Sequence, residues 1–230
     1  MTTKEVLLLL QENADARGIA NWERLAGDSG LSSYGLGLTK LRKLGKQIGR
    51  DHGLALELWE TSVYDAKVLA LVIDDPKQIT RAQAERQVEQ LAGGYLVHVF
   101  SSCYAKLAKA PFVCELADDW MASDDPVRRR CGYGLIYEIS KCKTKRAPDD
   151  ACFLGRITHI EATISSEPSS VQAAMGGALM GIGKRNVRLN SRALEIARAI
   201  GPIEYSSNCE PFDVVKHLTS DYLTQKLELA

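Results

Sequence analysis

Val171-Gln172-Ala173-Ala174-Met175-Gly176-Gly177-Ala178-Leu179-Met180-Gly181-Ile182 is the stretch on which the fold turns. Its apolar residues at 171, 174, 175, 178, 179 and 182 keep the i, i+3, i+4, i+7 spacing of one helical face. Glycine inside a helix costs about 1 kcal/mol relative to alanine. A helix that keeps Gly176, Gly177 and Gly181 therefore either approaches a neighbour closely or has lost side chains from a surface that once used them.

The same period extends in both directions. Leu38, Leu41, Leu44 and Ile48 line one face, with Lys40, Arg42, Lys43, Lys46 and Arg50 around them. Val63, Ala66, Leu69, Ala70 and Ile73 form the next stripe. Further helices are predicted at 80–91, 96–108, 111–121, 126–140, 150–164, 191–200 and 211–222. Alternating strand patterns are nearly absent, with Ile203-Glu204-Tyr205 the one short candidate. Asp74-Asp75-Pro76, Ser123-Asp124-Asp125-Pro126 and Ser165-Ser166-Glu167-Pro168-Ser169 each set a capping residue beside a proline, which marks helix starts. Leu58-Trp59-Glu60 and Asp119-Trp120-Met121 look like equivalent points of successive hairpins, with Ala66 and Val127 seven residues on. Their separation exceeds the about 40–47 residues of a helical-repeat unit. The expected fold is all-α, an imperfect helical-repeat array over residues 1–230 with no composition shift to mark a linker.

Composition bounds the function. The 230 residues are 45% hydrophobic and 25% charged, the balance of a globular protein rather than a disordered or collagenous one. No apolar run approaches a membrane span, Val6–Leu10 being far too short, and the first residues carry an acid at once. A cytoplasmic protein is expected. The six cysteines include no Cys-x-x-Cys pair and the four histidines are scattered, so neither a metal nor a cofactor is expected. There is no Gly-x-Gly-x-x-Gly after a strand, no phosphate-binding loop and no Gly-x-Ser-x-Gly elbow.

Lys and Arg together number 29, as do Asp and Glu, yet the positive charge is uneven. It gathers at Lys40–Arg50, at Arg128-Arg129-Arg130, at Lys141, Lys143, Lys145 and Arg146, and at Lys184-Arg185, Arg188 and Arg192. Cations near helix C-termini complement the helix dipole. Stacked as a solenoid, the same clusters would line one face that neutralises phosphates.

The run Leu41-Arg42-Lys43-Leu44-Gly45-Lys46-Gln47-Ile48-Gly49-Arg50-Asp51-His52, followed by Leu54-Ala55, Leu58-Trp59 and Ala66-Lys67-Val68-Leu69-Ala70, resembles the bacterial DNA alkylation repair proteins, the AlkD-like DNA glycosylases built from HEAT-like repeats. Ile73-Asp74-Asp75-Pro76, Val127-Arg128-Arg129-Arg130, Ile182-Gly183-Lys184-Arg185-Asn186 and Cys209-x-Pro211-x-Asp213 continue the likeness in order, over roughly residues 30–220. The resemblance implies a basic concave face that holds DNA and an activity that removes cationic N3- or N7-alkylpurines. It also implies aromatic faces and a carboxylate to stabilise the developing sugar and base cations.

The chain departs from that pattern where the chemistry is done. The family's Trp-Asp-x-x-Asp corresponds here to Tyr95-Leu96-Val97-His98-Val99, so Leu96 and Val99 stand where the acids would be. Gly177 and Met180 stand where a second Trp and an Arg would be. Tyr95 is an aromatic remnant, and His98 has the wrong sign to stabilise a sugar cation. The resemblance therefore implies a DNA-binding protein whose glycosylase chemistry is lost or diverged. Arg42, Lys43, Lys46, Arg128, Arg130, Lys184 and Arg185 are the expected phosphate contacts. The expected partner is duplex or damaged DNA, bound by a monomer. Two alternatives compete: a glycosylase using Tyr95 with Asp118 or Asp124, and a scaffold that binds a protein partner and no DNA.

Overall fold

Local capping chemistry starts the helices where the sequence places them. In the computed structural model, which describes residues 1–25, 29–91, 95–103, 105–144, 147–204 and 210–228, Thr2 and Glu5 form a reciprocal capping box. Asp51, Thr80, Asp125, Asp149, Asn186 and Asp213 each accept from a backbone N–H of the helix that follows them. Pro126 occupies the first turn behind Asp125, where its missing N–H costs nothing. Gly49 and Gly201 end their helices at positive φ, a conformation that costs glycine least. Lys145, Arg146, Tyr205 and Cys209 lie outside the described residues.

The chain divides into two compact units, Met1–Phe112 and Val113–Ala230. The first contains α1 (Thr3–Glu12), α2 (Ala16–Leu25), α3 (Leu38–Ile48), α4 (His52–Trp59), α5 (Tyr64–Ile73), α6 (Arg81–Val88) and α7 (Leu96–Ser101). The second contains α8 (Val113–Met121), α9 (Pro126–Ser140), α10 (Asp150–Thr163), α11 (Ser169–Gly183), α12 (Val187–Ile200), α13 (Val214–Leu218) and α14 (Asp221–Leu227). All regular structure among the described residues is helical; Ile203 of the strand candidate makes only an isolated bridge to Phe212. No helix among these residues is long and apolar enough to cross a membrane.

Within each unit the helices pair as hairpins. In the first, α4 packs on α5 and α5 on α3. The buried Trp59 ring lies 6.4 Å from Phe100, and the buried Lys67 ammonium sits over its indole. Asp65, also buried, accepts from the Ser33 hydroxyl and from the N–H groups of Tyr34 and Leu36, which ties the loop ahead of α3 to α5. In the second unit α9 packs on α8 and α11, and α11 on α12. Trp120, Tyr133 and Phe153 fill its core.

Several boundaries differ from the sequence expectation. Asp74-Asp75-Pro76 closes α5 rather than opening a helix; the next start is Thr80. The helix predicted at 96–108 stops at Ser101, because Cys103 adopts a left-handed backbone (φ 51°) and a short 3₁₀ turn, Leu107–Lys109, follows. The stretch 211–222 is broken at Thr219–Ser220 into α13 and α14. Of the described cysteines only Cys131 is fully buried, and Cys152 is exposed.

Candidate nucleic-acid interface

The expected basic residues sort by unit. In the first, Lys43 and Lys46 are exposed on α3, whereas Arg42 is half-buried and its Nη2 donates to the Cys103 carbonyl at 2.6 Å. That bond fixes one wall of a basic pocket of about 490 Å³. Arg42 and Lys46 come from α3 and Arg50 from its C-terminal turn, while Lys106 and Lys109 come from the segment after α7. Arg50 meets Asp75 at 3.5 Å. Burial, then the neighbouring Lys109 and Arg50 charges, push the Lys106 ammonium below its ordinary pKa. Lys106 and Lys109 escaped the sequence reading, although their spacing around the buried Leu107 was the available signal.

In the second unit the Arg triplet is divided in its roles. Arg129 is bound inward, to the carbonyls of Ser123 and Asp124 and to the Glu167 carboxylate. Arg128 and Arg130 flank it half-exposed. Arg185 is likewise structural: its Nη1 donates to the Ser140 and Cys142 carbonyls, capping α9, and its guanidinium lies 4.4 Å from the Phe153 ring centroid. Lys184, held below its usual pKa by burial and then by Lys226, shares a second basic pocket of about 590 Å³ with Lys141, Lys143 and Lys226. Asp118, a candidate carboxylate, is gripped bidentately by the buried Arg156 at 2.9 and 3.1 Å. Asp124 is exposed.

A third cavity, of about 630 Å³ in the first unit, has Trp22, Tyr64, Tyr95 and His98 among its lining. The Trp22 and Tyr64 rings lie 4.4 Å apart, and Tyr64 Oη accepts from the Tyr95 backbone N–H. Desolvation raises the Tyr64 pKa.

The family described as DNA alkylation repair enzyme matches residues 6–205. The chain belongs to the DNA alkylation repair enzyme family. It is 22% identical, over 82% of its length and 83% of theirs, to uncharacterised proteins of Listeria innocua and Listeria monocytogenes. A solved structure, described as a new family of proteins related to the HEAT-like repeat DNA glycosylases with affinity for branched DNA structures, superposes with a TM-score of 0.83. It is 21% identical, covering 99% of this chain and 96% of that one, and it establishes the HEAT-like repeat fold.

In this member of the DNA alkylation repair enzyme family, the positions where the resemblance calls for catalytic side chains fall into two kinds. Tyr95 stands at the head of α7, 70% exposed. Leu96 and Val99 are buried, and Val99 helps to floor the basic pocket. Gly177 faces open space, with no atom within 4 Å of where a Cβ would stand. Its neighbours in α11 are different: a Cβ on Gly176 would meet Ile203 at 2.6 Å, and one on Gly181 would meet Tyr137 at 2.8 Å. Close approach thus accounts for Gly176 and Gly181, while Gly177 is the one of the three with open space beside it.

Proposed function

We propose that residues 1–230 act as one DNA-binding domain, a cytoplasmic monomer that holds duplex or branched DNA by its phosphates and does not excise alkylated bases. Leu96 and Val99 carry this reading: where the family resemblance calls for acids, both side chains are apolar and buried, so no carboxylate is held beside Tyr95 at those positions. Asp118 offers no substitute, because Arg156 already neutralises it. The affinity for branched DNA of the structurally similar protein supports the binding half, as do the two basic pockets. Phosphate contacts of this kind position a protein without reading sequence, and each one lost lowers the salt dependence of binding by roughly one counterion.

The test is a fluorescence-anisotropy titration against plain, abasic and four-way-junction duplexes at low and moderate salt, with base release from methylated duplex assayed alongside. Salt-dependent binding without release is expected. Arg130→Ala with Lys184→Ala should weaken binding to every duplex and flatten the salt slope. Base release would show that chemistry survives, and salt-independent or absent binding would overturn the DNA reading.

A further inference from the structure

Arg42, Lys46, Arg50, Lys106 and Lys109 reach one pocket from stretches far apart in the chain, so their convergence is a property of the fold rather than of a basic run. The acidic side chains near them are few. Asp75 meets Arg50 at 3.5 Å and also accepts from the Lys77 backbone and the Gln78 amide. Asp74, the other acid close to Lys106, is committed to His52, Gln83 and the Asp75 N–H. Among the described residues no ion pair is recorded for Lys46, Lys106 or Lys109.

The helix dipole does not account for so much charge. The C-terminus of α3 carries about half an elementary negative charge, which one lysine in its last turn already complements. Lys46, Lys106 and Lys109 bring three ammonium groups to one 490 Å³ space beside Arg42 and Arg50, a concentration of positive charge that an entering anion would neutralise.

The walls are arranged to keep that charge in place. Left-handed Cys103 turns the chain sharply after α7, toward the segment that brings Lys106 and Lys109 to the pocket, and Arg42 holds the Cys103 carbonyl. A non-glycine residue in that conformation is costly, and the surrounding structure has to maintain it. Gly45 packs against Val72, whereas Gly49 leaves open space at the rim. A planar guanidinium beside compact ammonium groups is the donor set that suits tetrahedral oxyanions.

We infer that this pocket of the first unit is an oxyanion seat that takes phosphate groups, supplied either by a DNA strand or by free polyphosphate. This extends the DNA-binding reading by giving the first unit a defined phosphate position, and it can fail or stand apart from that reading.

Inorganic pyrophosphate, titrated into the full chain by calorimetry at low salt, is the probe. Saturable binding by the wild-type protein is expected, with at least a tenfold loss in Lys106→Gln with Lys109→Gln. The exposed Lys109→Glu alone should also lose affinity, which guards against the double variant failing to fold; unchanged melting temperatures without ligand complete the control. Lys4→Gln, on α1 outside this pocket, should bind pyrophosphate as the wild type does. If pyrophosphate also displaces a labelled four-way junction, a DNA strand supplies the phosphate. If it binds the pocket of a protein without DNA affinity, the seat stands for free polyphosphate and the DNA reading falls. Equal binding by the wild type and both pocket variants, or none by the wild type, overturns the seat even where DNA binding persists.

Discussion

In α7 the positions that the family pattern gives to acids, Leu96 and Val99, are closed into the core; in α11 the position it gives to an indole, Gly177, opens onto free space. At the first positions apolar side chains serve packing, while at the second only the backbone stands beside open space. The difference teaches that divergence has two structural costs. An apolar residue that joins the core becomes hard to reverse, because an acid returned there loses its water without gaining a partner. A side chain removed from an open helix face leaves nothing behind to refill its place.

The largest effect should therefore come from restoring an acid. Leu96→Asp, at a side chain with no exposed surface, should destabilise the fold by about 3 kcal/mol or more, from lost packing and a buried charge. Gly177→Trp should cost less, about 1 kcal/mol, since the half-buried Gly177 has open space where a side chain would begin. Urea midpoints at neutral pH measure both. A stable Leu96→Asp would show that α7 is not closed in this way.

A finer contrast lies within α11 itself. Gly181→Ala would press a methyl against Tyr137 and the Ser140 hydroxyl, where α11 meets α9, and should cost about 1–3 kcal/mol. Gly177→Ala meets no atom and should stabilise by about 0.5–1 kcal/mol, since alanine is the better helix former. Thermal unfolding of the two single variants decides it, and equal shifts of one sign would erase the distinction between contact glycine and vacated glycine.

Which features were legible follows from how local their causes are. Thr80, Asp125, Asp149 and Asn186 each cap a helix through a backbone N–H two or three residues ahead. Three of these starts could therefore be read from spacing alone, and Asn186 shows the helix predicted from 191 beginning earlier. The early end of α7 was not legible, since the left-handed Cys103 is tied to Arg42, far back in the chain. The same distance hid the basic pocket: Arg42 and Lys46 were visible as a cluster, but Lys106 and Lys109 joined it only through the fold. Sequence also could not tell which basic side chains are held by backbone carbonyls. Arg185 and Arg42 resemble Lys184 and Lys46 in type and place, yet both arginines spend donors on backbone carbonyls.

The smallest effect concerns the neighbourhood that holds α11 from its C-terminal side. Phe212, which would crowd a side chain on Gly176, also lies 5.6 Å from the His217 ring. Burial first, then the Lys184 charge at the end of α11, hold the His217 imidazole below its ordinary pKa, with Lys216 adding and Asp213 opposing. The unfolded chain therefore binds a proton at this site more readily than the native one. With ν_U above ν_N, unfolding free energy falls as pH drops below about 6.5, until the native imidazole is protonated too. Lys184→Gln should reduce that slope in part and His217→Gln should remove this residue's share of it, read as melting temperature between neutral and mildly acidic pH. If the slope is unchanged in both variants, His217 is not the group that ties the end of α11 to pH.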